Sequence, residues 1–278
     1  MSLASGVNAS FRRLKARLWE RTRVPHAYGY NAARWLAIES DVRRRSTTYG
    51  SAGGGFDERV VEYPWMFDRM RALSAGAERV LDAGSILNHA RVLAWWRELQ
   101  LPAVSIFTQA YEGRAEVSDT VHYEFGDLRR LPYRDEWFSV VLCLSVIEHV
   151  GLDNTGYGAA AEASEDPGAD ALRALAELRR VTVPRGTLLL SVPYGRRANR
   201  KWFRILDESD LARLTGAPGW TDARVRIFRA LQEGWRETSA AHARDAGYNE
   251  PRGGRETRTA PAWVAGAEAV ALVEMVRA

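Results

Sequence analysis

The chain has 278 residues, 46% of them apolar and 10% aromatic, with a formal charge of +4; that is enough for a substantial globular core and too little charge excess to mark a nucleic-acid binder. Only Lys15 and Lys201 are lysines, and there is neither a Gly-Lys-Ser/Thr tripeptide nor a Tyr-x-x-x-Lys pair, so phosphate-loop and short-chain dehydrogenase chemistry are excluded. A single cysteine, Cys143, allows no internal disulfide and no cysteine-built metal site.

In chain order, FRRLKARLWERTR (11–23) sets Phe11, Leu14, Leu18 and Trp19 at helical spacing among basic residues, which reads as an amphipathic basic helix. Such a helix either packs on the main body with a solvated face or meets a membrane surface. No apolar run approaches the ~20 residues of a membrane span, and the start has no signal-peptide core; the expectation is a cytoplasmic protein. Residues 25–67 carry Tyr28, Tyr30, Tyr49, Tyr63 and Trp65. They are read as core aromatics or as a lid, and the division expected is an N-terminal helical extension over 1–58 and a main domain over 59–278.

ERVLDA (78–83) predicts a first strand, 89–99 a helix, AVSIF (103–107) a second strand and 121–125 a third. WFSVVLCLS (137–145) is continuously apolar, the pattern of a central parallel strand. GLDNTGYGAAAEASEDPGAD (151–170) is a glycine-rich, acidic insertion placed to serve as a substrate lid or a connector. ALRALAELRR (171–180) predicts a helix and GTLLLSV (186–192) a fifth strand. Strands alternating with helices give an α/β fold, a doubly wound, mostly parallel sheet. Ligands of such sheets sit beyond the carboxyl ends of the strands. The residues there are Asp82, Gly84, Ser85 and Asn88; Asp127 and Leu128; Ser145, Glu148 and His149; and Ser191 and Tyr194.

Three stretches, VLDAGS (80–85), GDLRRLPYRDEWFSVVLCLSVIEHV (126–150) and LAELRRVTVPRGTLLLSVPYG (175–195), together resemble the class I S-adenosylmethionine (SAM) dependent methyltransferases. The resemblance implies a seven-stranded, Rossmann-like sheet closed by an antiparallel pair, for which 220–231 and 268–277 are the candidates. It implies SAM as cofactor, with Asp82 ordering the glycine turn, Asp127 accepting from the adenine amino group and Leu128 packing on the ring. Gly84, Ser85, Asn88 and Ser145 complete the expected cofactor site. Asp127 also reads as an ordinary Gly-Asp turn residue.

Two features depart from that family's pattern. Gly84-Ser85-Ile86-Leu87-Asn88 has one glycine where the family has two or three, and Ile86 is a β-branched residue that does not take positive φ easily. The loop therefore takes another path or cofactor binding weakens. The second strand ends in Thr108-Gln109 instead of the acid that holds the ribose hydroxyls, leaving the later Glu112 as the candidate. For catalysis His149 is the expected base, with Glu148 orienting it and Tyr194 beside it. The alternative is a helix-capping Glu148 and a packed His149. One carboxylate is missing for a magnesium site of the Glu-x-x-Glu-His kind, so no metal is expected.

The expected function is O-methylation of a sugar or other small-molecule hydroxyl, free or in a sugar-containing lipid or nucleotide, as in the subgroup linked to surface polysaccharide biosynthesis. Arg196, Arg197 and Arg200 are candidates for an anionic group or a solvated loop. The alternatives are a non-catalytic methyltransferase-fold binding protein and a nicotinamide-dependent enzyme. Against the latter stand the missing acid at the second strand end and the absent Tyr-x-x-x-Lys pair.

Overall fold

The computed structural model describes residues 27–44, 48–50, 55–116, 118–158, 163–249 and 266–278; the basic segment 11–23 and the side chain of Tyr28 lie outside them. Helices α1 (Ala27–Arg44) and α2 (Arg59–Leu73) precede β1 (Arg79–Ala83), α3 (Ala90–Glu98), β2 (Ala103–Thr108), β3 (Val121–Phe125) and β4 (Phe138–Leu144). Then come α4 (Pro167–Val181), β5 (Thr182–Pro193), the two-residue strands β6 (Ala198–Asn199) and β7 (Arg204–Ile205), α5 (Glu208–Thr215), β8 (Trp220–Leu231) and β9 (Gly234–Thr238). The chain closes through α6 (Ala240–Ala243), β10 (Tyr248–Asn249), β11 (Gly266–Ala267) and β12 (Ala269–Arg277).

The main sheet has the order β3-β2-β1-β4-β5-β12-β8-β9. Its first five strands run parallel, and β12 pairs antiparallel with both β5 and β8. The sheet therefore has eight strands where seven are expected from the sequence. The extra one, β9, pairs antiparallel with β8 at the edge, and its segment GWRET has no alternating apolar pattern to announce it.

Local chemistry fixes the helix starts. The His89 side chain accepts from Arg91 N at the head of α3. Asp166 accepts from Ala169 N before Pro167 opens α4, and Asp207 accepts from Asp210 N at α5. Each such cap is worth about 1 kcal/mol. The apolar run of β4 is buried as its composition requires, and Cys143 within it is a fully buried free thiol.

Two apolar layers sandwich the sheet. One joins α1, α2 and α3 to it through Ile38, Met66, Phe67, Val92, Trp96 and Ile106; the other joins α4 and α5 through Leu175, Leu178, Leu211 and Val141. Tyr30, Tyr49 and Trp65 belong to the first layer, so these aromatics are core residues. The segment before residue 58 thus contributes to the same core as the sheet. None of the helices among the described residues is long and apolar enough to cross a membrane.

Candidate active site

A cavity of about 380 Å³ opens beyond the carboxyl ends of the strands, within the range of small-molecule sites. Its floor is built by Ala83-Gly84-Ser85 after β1, Thr108 and Glu112 after β2, Asp127-Leu128 after β3, Ser145, Val146 and Glu148 after β4 and Pro193 at the end of β5. Its walls come from Glu58, Arg59 and Tyr63 at the start of α2, and from Tyr157, Trp202, Phe203 and Tyr248.

The loop after β1 accounts for its missing glycines. Positive φ falls on Gly84 (139°) and Ser85 (65°), and not on Ile86. Ile86 instead buries its side chain in the core, and its carbonyl accepts from Tyr63 Oη at 2.9 Å. The buried carboxylate of Asp82 accepts from Ile86 N at 3.1 Å and Leu87 N at 2.7 Å, pinning the turn. Burial pushes the Asp82 pKa up to about 7 against the opposing pull of these two N–H groups. Asp82 works from beneath the turn and does not line the cavity.

Across the loop, Glu112 accepts from Ser85 Oγ at 2.8 Å and Thr108 Oγ1 at 3.3 Å. The late glutamate therefore reaches back over the end of β2. Asn88 points elsewhere: its side chain donates to Gly113 O and accepts from Ala115 N and Tyr123 Oη, so it braces the loop after β2 and is not among the cavity residues. This differs from the sequence reading, because the turn pinned by Asp82 directs Asn88 sideways toward β3.

Asp127 lines the cavity and is half-exposed, with Arg129 Nε at 2.9 and 3.0 Å from its two oxygens and Arg129 Nη2 at 2.5 Å. Burial works to raise its pKa, but these hydrogen bonds and the guanidinium charge hold it below the usual carboxylate value. Arg129 also reaches the buried Asp170 at 2.8 Å.

At the end of β4, Ser145 takes a left-handed φ of 50°. Its Oγ donates to Glu62 Oε1 at 2.6 Å, as does Ser191 Oγ at 2.5 Å. His149 Nδ1 lies 2.7 Å from the Trp202 carbonyl, and its ring stacks on the indole at 5.2 Å. A carbonyl only accepts, so Nδ1 carries the proton and Nε2 keeps a lone pair. Burial lowers the His149 pKa to about 4, outweighing the carbonyl's opposite effect. Nε2 lies 3.8 Å from Glu148 Oε1. Glu148 is itself buried, which raises its pKa well above the ordinary value, and its Oε2 has no protein hydrogen-bond partner.

Tyr194, expected beside the base, is buried in the layer under α4 and α5 and does not line the cavity. Its backbone N–H donates to Ala269 O and Gly195 follows with φ 153°, so the chain turns after β5 with the phenol packed inward. Arg197 pairs with Asp210 at 3.2 Å, and neither it nor Arg196 nor Arg200 lines the cavity. Lys201 is exposed and pairs with Asp153. Of the insertion after His149, Gly151, Leu152, Asn154 and Tyr157 line the cavity, while 159–162 lie outside the described residues. Among the described residues no group of three or more His, Cys, Asp or Glu is placed to hold a metal ion.

The site residues that the sequence reading passed over are Glu58, Arg59, Trp202, Phe203 and Tyr248, which line the cavity, and the buried Glu62 behind them. The pair Trp202-Phe203 between β6 and β7 was the available signal; for Glu62, 83 residues from Ser145, there was none.

Residues 91–190 match the family model Methyltransf_11, described as a methyltransferase domain. This stretch of the chain is thus similar to a methyltransferase domain. The matched span runs from α3 to β5 and leaves out the altered loop after β1. No curated protein matches the chain in sequence.

Solved structures similar to it include the 1,6-didemethyltoxoflavin-N1-methyltransferase of Burkholderia thailandensis, at 15% identity and TM-score 0.46, covering 100% of this chain and 91% of that one. A SAM-dependent methyltransferase of Methanosarcina mazei shares 10% identity over 72% of this chain and 92% of that one, with TM-score 0.42. The [4+2]-cyclase SpnF shares 16% identity over 88% of this chain and 96% of that one, with TM-score 0.45. These are distant likenesses.

Proposed function

We propose that this protein transfers a methyl group from SAM to a hydroxyl of a small acceptor. The observation that carries the reading is His149, whose Nδ1 proton is held by the Trp202 carbonyl and whose unprotonated Nε2 lines the cavity close to Glu148.

The residues along the strand ends fit the cofactor by their chemistry. Asp127 offers carboxylate oxygens to an adenine amino group and Leu128 an apolar face to the ring. Glu112 offers oxygens to ribose hydroxyls, while Gly84 and Ser145 bound the amino-acid portion beside Ser85. Bound SAM supplies an electrophilic methyl group on a sulfonium. The chain's own part is to hold the acceptor oxygen in line with that methyl group. As the new O–C bond forms, Nε2 takes the hydroxyl proton. Glu148, buried beside Nε2, is the orienting group, and Tyr194 belongs to the packing beneath the site.

The acceptor we infer is a sugar or another hydroxylated small molecule, free or part of a lipid or nucleotide. Trp202, Tyr157 and Tyr248 are among the residues lining the cavity, and such amphipathic aromatic side chains suit a ring bearing hydroxyls. Tyr157 is 45% exposed, at the mouth. A role in surface polysaccharide synthesis would follow from a sugar acceptor.

Calorimetric titration with S-adenosylhomocysteine tests the cofactor reading. Micromolar binding is expected for the wild type, weakened about tenfold or more in Asp127→Ala, because a hydrogen bond to a charged group is lost. A folded wild type that binds no S-adenosylhomocysteine would overturn it and leave a non-catalytic binding protein as the better description.

A further inference from the structure

Two cavity residues, Glu148 and Asn154, each carry a buried side-chain oxygen with no hydrogen-bond partner, and among the described residues they are the cavity residues that do. Asn154 is 7% exposed and Glu148 1%. Their ionisable neighbours are committed elsewhere: Arg59 Nη1 lies 2.5 Å from Glu62 Oε2, and Glu58 Oε2 accepts from Ala267 N at 3.0 Å. Buried polar atoms are normally paired, so two left over in one cavity, next to His149, point to a ligand that pairs them.

Asn154 precedes the single helical turn Thr155–Tyr157, a place where asparagine usually bonds its own backbone. Here its side chain makes no such cap. Its Nδ2 instead donates to the His149 carbonyl at 3.1 Å. A carbonyl only accepts, which settles the orientation of the amide and leaves Oδ1 as the free atom, an acceptor. The segment is also held from outside: Asp153 N donates to Lys201 O at 3.3 Å, and the Asp153 carboxylate pairs with Lys201 Nζ at 3.1 Å.

Glu148 supplies the complement. Burial raises its pKa well above the ordinary value, so the carboxyl is neutral and has a proton to donate. Its Oε1 lies 3.8 Å from His149 Nε2, and Oε2 is the other oxygen of the same carboxyl. A hydroxyl held at Nε2 and a group held at Oε2 are therefore neighbours. The group at Oε2 must accept from Glu148 and donate to Asn154. A hydroxyl does both; an ammonium cannot accept, and a carboxylate cannot donate.

We propose that Asn154 and Glu148 bind a second hydroxyl of the acceptor, on the carbon next to the methylated one, so that the acceptor is a neutral vicinal diol. The proposal rests on the hydroxyl-methylation reading given above.

The test uses protein saturated with S-adenosylhomocysteine and four probes: cis- and trans-cyclohexane-1,2-diol, cyclohexanol, and trans-2-aminocyclohexanol, which is a cation at neutral pH. Binding is read by ligand-observed NMR titration. In the wild type one diol should bind about tenfold or more tighter than cyclohexanol and than the amino alcohol. In Asn154→Ala that ratio should fall to near one, while cyclohexanol and S-adenosylhomocysteine bind as in the wild type, which also reports an intact pocket. Glu148→Gln, neutral and still a donor, should keep most of the preference; its loss there would mean that Glu148 acts as a charged carboxylate, against the proposal. A preference retained in folded Asn154→Ala overturns it. So does a wild type that binds S-adenosylhomocysteine but neither diol, or prefers neither diol to cyclohexanol, a result that removes this proposal and leaves hydroxyl methylation standing. The wild-type comparison needs no variant, so misfolding of Asn154→Ala does not shelter the proposal. Tighter binding of the amino alcohol than of both diols would overturn the hydroxyl reading as well, and a wild type that binds no S-adenosylhomocysteine sinks the cofactor reading and this proposal with it.

Discussion

Replacing Gly84 by alanine would test why the loop after β1 keeps one glycine and dispenses with the others. Gly84 has φ 139°, and a Cβ built there would lie 2.0 Å from Val146 Cγ2 and 3.0 Å from Val146 Cβ. Two costs follow. A side chain at that φ is strained by about 1–3 kcal/mol, and overpacking against Val146 adds about 1–3 kcal/mol. Gly84→Ala should therefore lower stability by about 2–6 kcal/mol in urea or guanidinium unfolding. The second cost comes mainly from Val146 Cγ2, so most of it should be relieved in Val146→Ala, which keeps only the Cβ at 3.0 Å. The double-mutant cycle is expected to show a coupling of about 1–3 kcal/mol, with Gly84→Ala cheaper in the Val146→Ala background. An equal cost in both backgrounds, or a Gly84→Ala protein as stable as the wild type, would refute the steric account. Val146 lies between Ser145 and Glu148 on the cavity floor, so the single variant should also bind S-adenosylhomocysteine more weakly.

The pH dependence of stability should carry the signature of Asp82, whose folded pKa of about 7 lies above the ordinary 3.8. The folded state holds a proton there that the unfolded chain releases. The stabilisation is complete below about pH 4 and is lost as pH rises through about 7. Unfolding at pH 5 and pH 8 should show the wild type losing about 2 kcal/mol more than Asp82→Asn over that interval; parallel losses would contradict the assignment, because Glu58 and Glu148 act alike in both proteins. For His149, an NMR titration should find the imidazole neutral from alkaline pH down to about 4, whereas a transition near 6.5 would mean that the ring is not buried against Trp202. With an acceptor in hand, His149→Gln should lower kcat by about 10²–10⁴-fold and leave S-adenosylhomocysteine affinity unchanged; an equal loss of affinity would make His149 a structural residue.

The sequence by itself determined the strand ladder from β1 to β5, because short apolar or alternating runs are bounded there by polar residues and helical patterns, whereas the closing strands β8 and β12 were suggested by the family resemblance and not by an apolar run in β8. It also determined which residues stand where the strands end, since in a parallel sheet those ends share one side. The edge strand β9 carried no such pattern and became visible only through its pairing with β8. Tertiary structure decided which strand-end residues face the cavity. Ile86 turns into the core because the positive φ falls on Gly84 and Ser85. Asn88 braces the loop after β2, and Tyr194 packs under the sheet. It also brought Arg59 and Glu62 to the ends of β4 and β5, through a hydrogen bond spanning 129 residues from Ser191 to Glu62. Periodicity records only how a residue sits relative to its neighbours in the chain. A carboxylate that meets two serines and an arginine from separate elements leaves no trace in that record.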